Sequence, residues 1–158
     1  MNHQKKRKLL QAFETDFASG DVQRKWEAVW KVLYEALPKG IVEADDFHSE
    51  ICELLFSALP NASQAGDVPS GYEAARYVGS YLMTLLHLKR IAEAEDLVDR
   101  LSKFVKRSSM EECDPLLLGL FEHAILDERF QKAFASWEKD SALATFVAKA
   151  KELAKGFQ

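Results

Sequence analysis

The side chains best suited to metal, acid–base or nucleophilic chemistry in this chain of 158 residues are four histidines and two cysteines. His48 and Cys52 stand at i and i+4, so a helix places both on one side, with Asp45 three residues before the histidine. Two ligands one turn apart are half of a zinc site. A closed site needs four ligands and a catalytic one three, and no second pair with ligand spacing occurs. The plainer reading is a histidine at the edge of the core beside a buried thiol, so no metal is assigned. His87 lies between Leu86 and Leu88 near a helix end, and His123 follows Glu122 in an apolar stretch. Pairing either with Cys113 or a carboxylate would supply a general base or an activated thiol. Nothing in their spacing brings them together. Ser136-Trp137-Glu138-Lys139 fits a Ser-x-x-Lys nucleophile pattern, but its companion motifs are missing. No phosphate-cradling glycine loop or paired-histidine helix is present, so no catalytic residue and no cofactor is assigned.

Charge is more informative. Glu43, Asp45, Asp46, Glu50 and Glu53 put five carboxylates into eleven residues with no Lys or Arg among them. A helix starting near Asp45 sets Asp46, Glu50 and Glu53 on one face, away from the Phe47–Ile51–Leu54 stripe. Like charges at that spacing cost a helix a few tenths of a kcal/mol per pair, roughly, and proximity to its N-terminus offsets only part of this. A docking strip for a basic partner explains the remainder, since complementary potential speeds encounter and sets register. Trp26, Trp30 and Tyr34 recur every four residues on a neighbouring helix whose apolar arc is wider than one buried stripe needs. Either that helix is central, or an aromatic such as Trp30 is left outside as an anchor. Glu43, Asp46, Glu50, Glu53 and Trp30 are therefore the candidate partner-binding residues.

The elements that hold these side chains repeat with a period of 3.6. One helical face reads Leu9, Leu10, Phe13 and Phe17, ending near Ser19-Gly20. Asp21 caps a second helix that Pro38-Lys39-Gly40 stops. The third runs from about Asp45 to Pro60, and residues 60 to 70 form the one clear loop. Ser70-Gly71-Tyr72-Glu73 makes a reciprocal capping box for the fourth helix. A break at Lys89-Arg90 precedes the fifth, which reaches Val105. Ser108 and Ser109 offer overlapping capping boxes, but Asp114-Pro115 is the stronger start for the sixth, with Pro at the first helical position. The seventh covers Arg129 to Trp137 and the eighth Ser141 to Lys155. No segment alternates with period two. The fold class is all-α, with seven or eight antiparallel helices in one domain spanning 1–158, its basic first eight residues free to be flexible.

Two of these hairpins align at a constant offset of 39: Val78, Tyr81, Leu82, Leu85, Ile91, Ala94 and Val98 with Leu117, Leu120, Phe121, Ala124, Phe130, Ala133 and Trp137. In each, a small Ala follows the turn, where close helix approach demands it. Over residues 75–137 this pattern resembles a tetratricopeptide hairpin. It departs from that family in its period, which is 34 there, in the bulky Leu82 and Phe121 at a small-residue position, and in lacking the closing Pro. The resemblance implies peptide or protein binding on a concave face and carries over no catalytic residue.

Composition bounds what remains. Hydrophobic residues make up 47%, with seven Gly and four Pro, which excludes a disordered or low-complexity chain. No apolar run approaches the roughly 18 residues that cross a bilayer, and the residues after Lys5-Lys6-Arg7-Lys8 turn polar too soon for a signal peptide. Two widely spaced cysteines suit a reducing compartment, so the expected location is cytoplasmic. The net charge of −4 disfavours a general nucleic-acid binder. Together these features point to a non-enzymatic interaction module for a basic or partly apolar protein partner, of chaperone, adaptor or immunity-protein type, with no nucleic acid and no membrane. The alternatives are a small enzyme with a His/Cys or His/carboxylate site, and nucleic-acid or membrane-surface contact through Lys5–Lys8.

Overall fold

The computed structural model describes residues 3–61, 63–121 and 127–155. Among the described residues eight α-helices follow one another, with no strand. They are α1 (His3–Ala18), α2 (Val22–Lys31), α3 (His48–Ala58), α4 (Gly71–His87), α5 (Ile91–Arg107), α6 (Met110–Leu116), α7 (Glu128–Ala133) and α8 (Ser141–Ala154). The all-α reading therefore holds. Lys5–Lys8 lie within α1.

Local chemistry sets most boundaries. Asp21, Asp127 and Asp140 each accept two backbone N–H groups at the starts of α2, α7 and α8. Ser70 Oγ accepts from Glu73 N at 3.3 Å, one arm of the expected box. Ser109 and Glu112 complete both arms at the start of α6. That cap outcompetes Asp114-Pro115: α6 begins at Met110, and Pro115 sits inside it. A proline there removes the N–H that would bond Glu111 and crowds its carbonyl, and the helix continues as a π segment over Leu117–Phe121. The third helix also starts later than expected. Ala44–Asp46 is a separate 3-10 turn, and α3 begins at His48. The seventh is shorter than expected, α7 ending at Ala133 before a 3-10 turn over Ala135–Lys139.

Helix α4 is the centre of the bundle. Its buried residues include Ala74, Ala75, Val78, Tyr81, Leu82 and Leu85, and it packs against α3, α5, α6 and the π segments after α2 and α6. Glycine makes the closest approach possible. A Cβ on Gly71 would stand 2.2 Å from the Leu59 carbonyl oxygen, and one on Gly119 would stand 2.7 Å from Ala75 Cβ. The loop over 60–70 closes beneath α4 through Gly71 N donating to Asn61 O at 2.8 Å. With α3 and α5 on adjacent flanks of α4, a polar group on any of them meets the others at one place.

Candidate functional site

That place is His48. The first turn of α3 presents its ring, the middle of α4 presents Tyr81, and the second turn of α5 presents Asp96 and, one turn on, Arg100. His48 Nδ1 lies 2.5 Å from the Tyr81 hydroxyl and Nε2 lies 2.7 Å from Asp96 Oδ2. Arg100 Nε donates to the same Oδ2 at 2.7 Å. Burial pushes the Asp96 carboxyl up, but hydrogen bonds from Arg100 and His48 outweigh it and hold it below the ordinary carboxylate range. An ionised carboxylate only accepts, so Nε2 carries the hydrogen, and in the neutral ring Nδ1 accepts from the Tyr81 O–H. The hydroxyl, ring and carboxylate thus form one oriented chain, with Tyr81 fully buried and Asp96 at the solvent end.

Cys52 lies beside this chain, with Sγ 3.9 Å from Nδ1 and 3.7 Å from Nε2. Burial pushes its thiol up to about 12, with the Arg100 charge lowering it only in part. A fully buried, protonated thiol is a poor nucleophile. His48, Cys52 and Asp96 each offer a metal-ligand atom, all within 4.8 Å of one another. Their directions do not converge. A sulfur nearly equidistant from both ring nitrogens stands abreast of the ring, whereas a zinc ion about 2.0 Å out along the Nε2 lone pair needs sulfur about 2.3 Å from itself. Asp45, the sequence candidate for a third ligand, points elsewhere, 3.5 Å from Arg90. The arrangement satisfies buried polar atoms, and among the described residues no buried side-chain N or O lacks a partner.

The other chemistry-bearing residues do not assemble. His87 is exposed at the end of α4. Cys113 is buried, its thiol pushed up by burial, with Sγ 4.0 Å from the Val105 carbonyl. Glu122, His123 and Ala124 lie outside the described residues. Tyr81, Asp96 and Arg100 were not legible as a group, although the i, i+4 pair of Asp96 and Arg100 is a local signal.

The acidic run divides into two. Asp46 is not on the α3 face as expected. Its carboxylate accepts from Glu43 N at 2.9 Å while the Glu43 side chain caps the same 3-10 turn. Glu43 and Asp45 also face Arg90, each 3.5 Å from a guanidinium nitrogen. Glu50 and Glu53 remain exposed on α3 with no ion pair among the described residues, bordering a hollow shared with Phe17, Lys25 and Leu54. Trp30 stands apart from them, 45% exposed and tilted against Tyr34 with ring centroids 5.7 Å apart. Trp26 is buried and stacks on Tyr77, so helix α2 is central along one edge only.

The chain matches no known protein family, and no curated protein and no solved structure is similar to it. No helix among the described residues is long and apolar enough to cross a membrane.

Proposed function

We propose that the chain is a non-enzymatic protein-interaction module that binds a basic or partly apolar protein partner. The observation that carries this reading is the pair Glu50 and Glu53. They are exposed, three residues apart on one helix, and form no ion pair among the described residues, with Lys25 bordering the same hollow. Like charges left adjacent in this way oppose helix stability by a few tenths of a kcal/mol, roughly. An arriving cationic surface would remove that repulsion and gain the attraction instead. The half-exposed Trp30 and Tyr34 add apolar area of the kind that anchors interfaces. The buried Tyr81 hydroxyl and Cys52 thiol support the same reading, since neither offers an atom to a substrate.

The test is the double charge reversal Glu50→Lys with Glu53→Lys, chosen because Asp46 has a capping role that would confuse the result. The variant is expected to keep the wild-type circular dichroism and Tm, and to capture less of its partner from lysate at low salt, as judged by mass spectrometry. Equal capture by both proteins at low and high salt would remove the electrostatic basis of the reading.

A further inference from the structure

A second surface bears on what kind of segment the partner presents. Between α5 on one side and the α7–α8 connection on the other runs a groove of about 510 Å³. Its α5 wall extends from Ile91 to Ser102, which is about 16 Å of helix at 1.5 Å per residue. The opposite wall is Trp137 and Leu143. Small side chains line both walls: Ala94 and Ser102 on α5, Ala133 and Ser136 opposite. Trp137, Leu143 and Ala94 are themselves buried. Ile91, at one end, is 52% exposed.

The charge lining this groove is of one sign. Glu95, Asp99 and Asp140 border it, and no Lys or Arg does. Asp99 and Asp140 are each held by a lysine outside the lining, Lys103 at 2.9 Å and Lys106 at 2.8 Å. Glu95 is exposed and has no ion pair among the described residues. An apolar segment without a cation would cover Glu95 and strand a desolvated carboxylate, which is unfavourable. A segment carrying Lys or Arg opposite Glu95 would replace its water with a charged partner. A second copy of this chain is a poor occupant. The cationic run Lys5–Lys8 sits on α1, whose apolar face is already spent on its own core through Phe13 and Phe17 against Phe47, and Arg100, Lys103 and Lys106 on α5 are taken up by Asp96, Asp99 and Asp140.

We propose that this groove binds an amphipathic helical segment of the partner, about three turns long, with one apolar ridge and Lys or Arg flanking it. The proposal rests on the interaction-module reading and adds to it the chemistry of the bound segment.

The probe is a small set of fluorescein-labelled, amidated peptides of about 12 residues, with leucines at helical i, i+3, i+4, i+7 spacing and lysines beside them, differing in register. Matched peptides carry Glu in place of Lys. Fluorescence anisotropy with the full chain is expected to show saturable binding of at least one Lys peptide. Ser136→Trp fills the groove from an exposed position and is expected to weaken that binding about tenfold or more. Glu95→Lys should weaken the Lys peptide about threefold and strengthen its Glu counterpart. Glu14→Gln, at an exposed position on α1 away from both surfaces, should leave the affinity within about twofold. The proposal is overturned if no Lys peptide saturates, or if Ser136→Trp has no effect. It is equally overturned if Glu14→Gln weakens binding as much as Ser136→Trp does. Sedimentation showing a wild-type dimer that Ser136→Trp dissociates would also overturn it, by assigning the groove to a second copy. Failure of the peptides while the α3 reversal still reduces capture from lysate would sink the groove alone and leave the module standing.

Discussion

His48 ties three helices together with two hydrogen bonds, and its worth can be measured one atom at a time. Tyr81→Phe leaves Nδ1 without a donor, and His48→Leu leaves a fully buried hydroxyl without an acceptor. Each is expected to cost about 1–3 kcal/mol in urea unfolding, while the double variant costs clearly less than their sum, because both ends of the bond are then gone. Strict additivity would show that the bond contributes nothing. Asp96 adds a pH dependence of definite sign. Its folded pKa lies below the unfolded value, so its stabilisation is present above the unfolded pKa of about 3.9 and is lost as pH falls through the folded one. Glu93, held down chiefly by its hydrogen bond from Arg90, acts in the same direction. Stability should therefore fall on acidification below about pH 4, and Asp96→Asn should lower stability at pH 7 while flattening that acid limb. An acid limb as steep as wild type in Asp96→Asn would place the linkage elsewhere.

The turn between α4 and α5 and the start of α4 answer to backbone geometry rather than side-chain chemistry. Lys89 has φ of 59°, a left-handed conformation that costs a non-glycine residue about 1–2 kcal/mol, and its side chain is exposed. Lys89→Gly should stabilise the chain by about 0.5–1 kcal/mol once the greater freedom of glycine when unfolded is counted, raising Tm by a few degrees. Gly71 is the converse. Its missing Cβ is what lets the α4 N-terminus lie against the Leu59 and Asn61 carbonyls, so Gly71→Ala should cost about 1–3 kcal/mol or prevent folding. A Tm unchanged by Gly71→Ala, or lowered by Lys89→Gly, would contradict these assignments.

One continuous apolar cluster runs from Phe13 on α1 through α4 to Ala154 on α8, with no buried charged residue among those described. A core to which all eight helices among the described residues contribute predicts that the chain unfolds as one unit. Tryptophan fluorescence, which includes the buried Trp26 and Trp137, and far-ultraviolet circular dichroism should then report coincident urea transitions. Two separated midpoints would divide the chain into independently stable parts. Outside that core the charges are sorted unevenly. Arg90 gathers Glu43, Asp45 and Glu93, whereas Glu50 and Glu53 on α3 and Glu95 beside the α5 groove are exposed and form no ion pair among the described residues. That division gives the molecule two acidic faces, and the proposed partner contacts use both.

Helix identity was legible in the amino-acid order because it depends on neighbours three and four residues away. The stripes through Phe13, Ile51, Leu82 and Leu97, the caps at Asp21 and Ser70, and the break at Lys89 all belong to short-range physics. Boundaries set by competition were less legible, as at Asp114-Pro115, where a complete capping box five residues earlier wins. The Tyr81–His48–Asp96 chain was not legible at all, since its members are 33 and 48 residues apart and meet only because α3 and α5 flank α4. The same holds for the carboxylates between Glu43 and Glu53. Their density is a property of the sequence, but which of them stay free depended on the local cap between Glu43 and Asp46 and on Arg90 arriving from the turn between α4 and α5, and long-range encounters of the second kind are decided by packing alone.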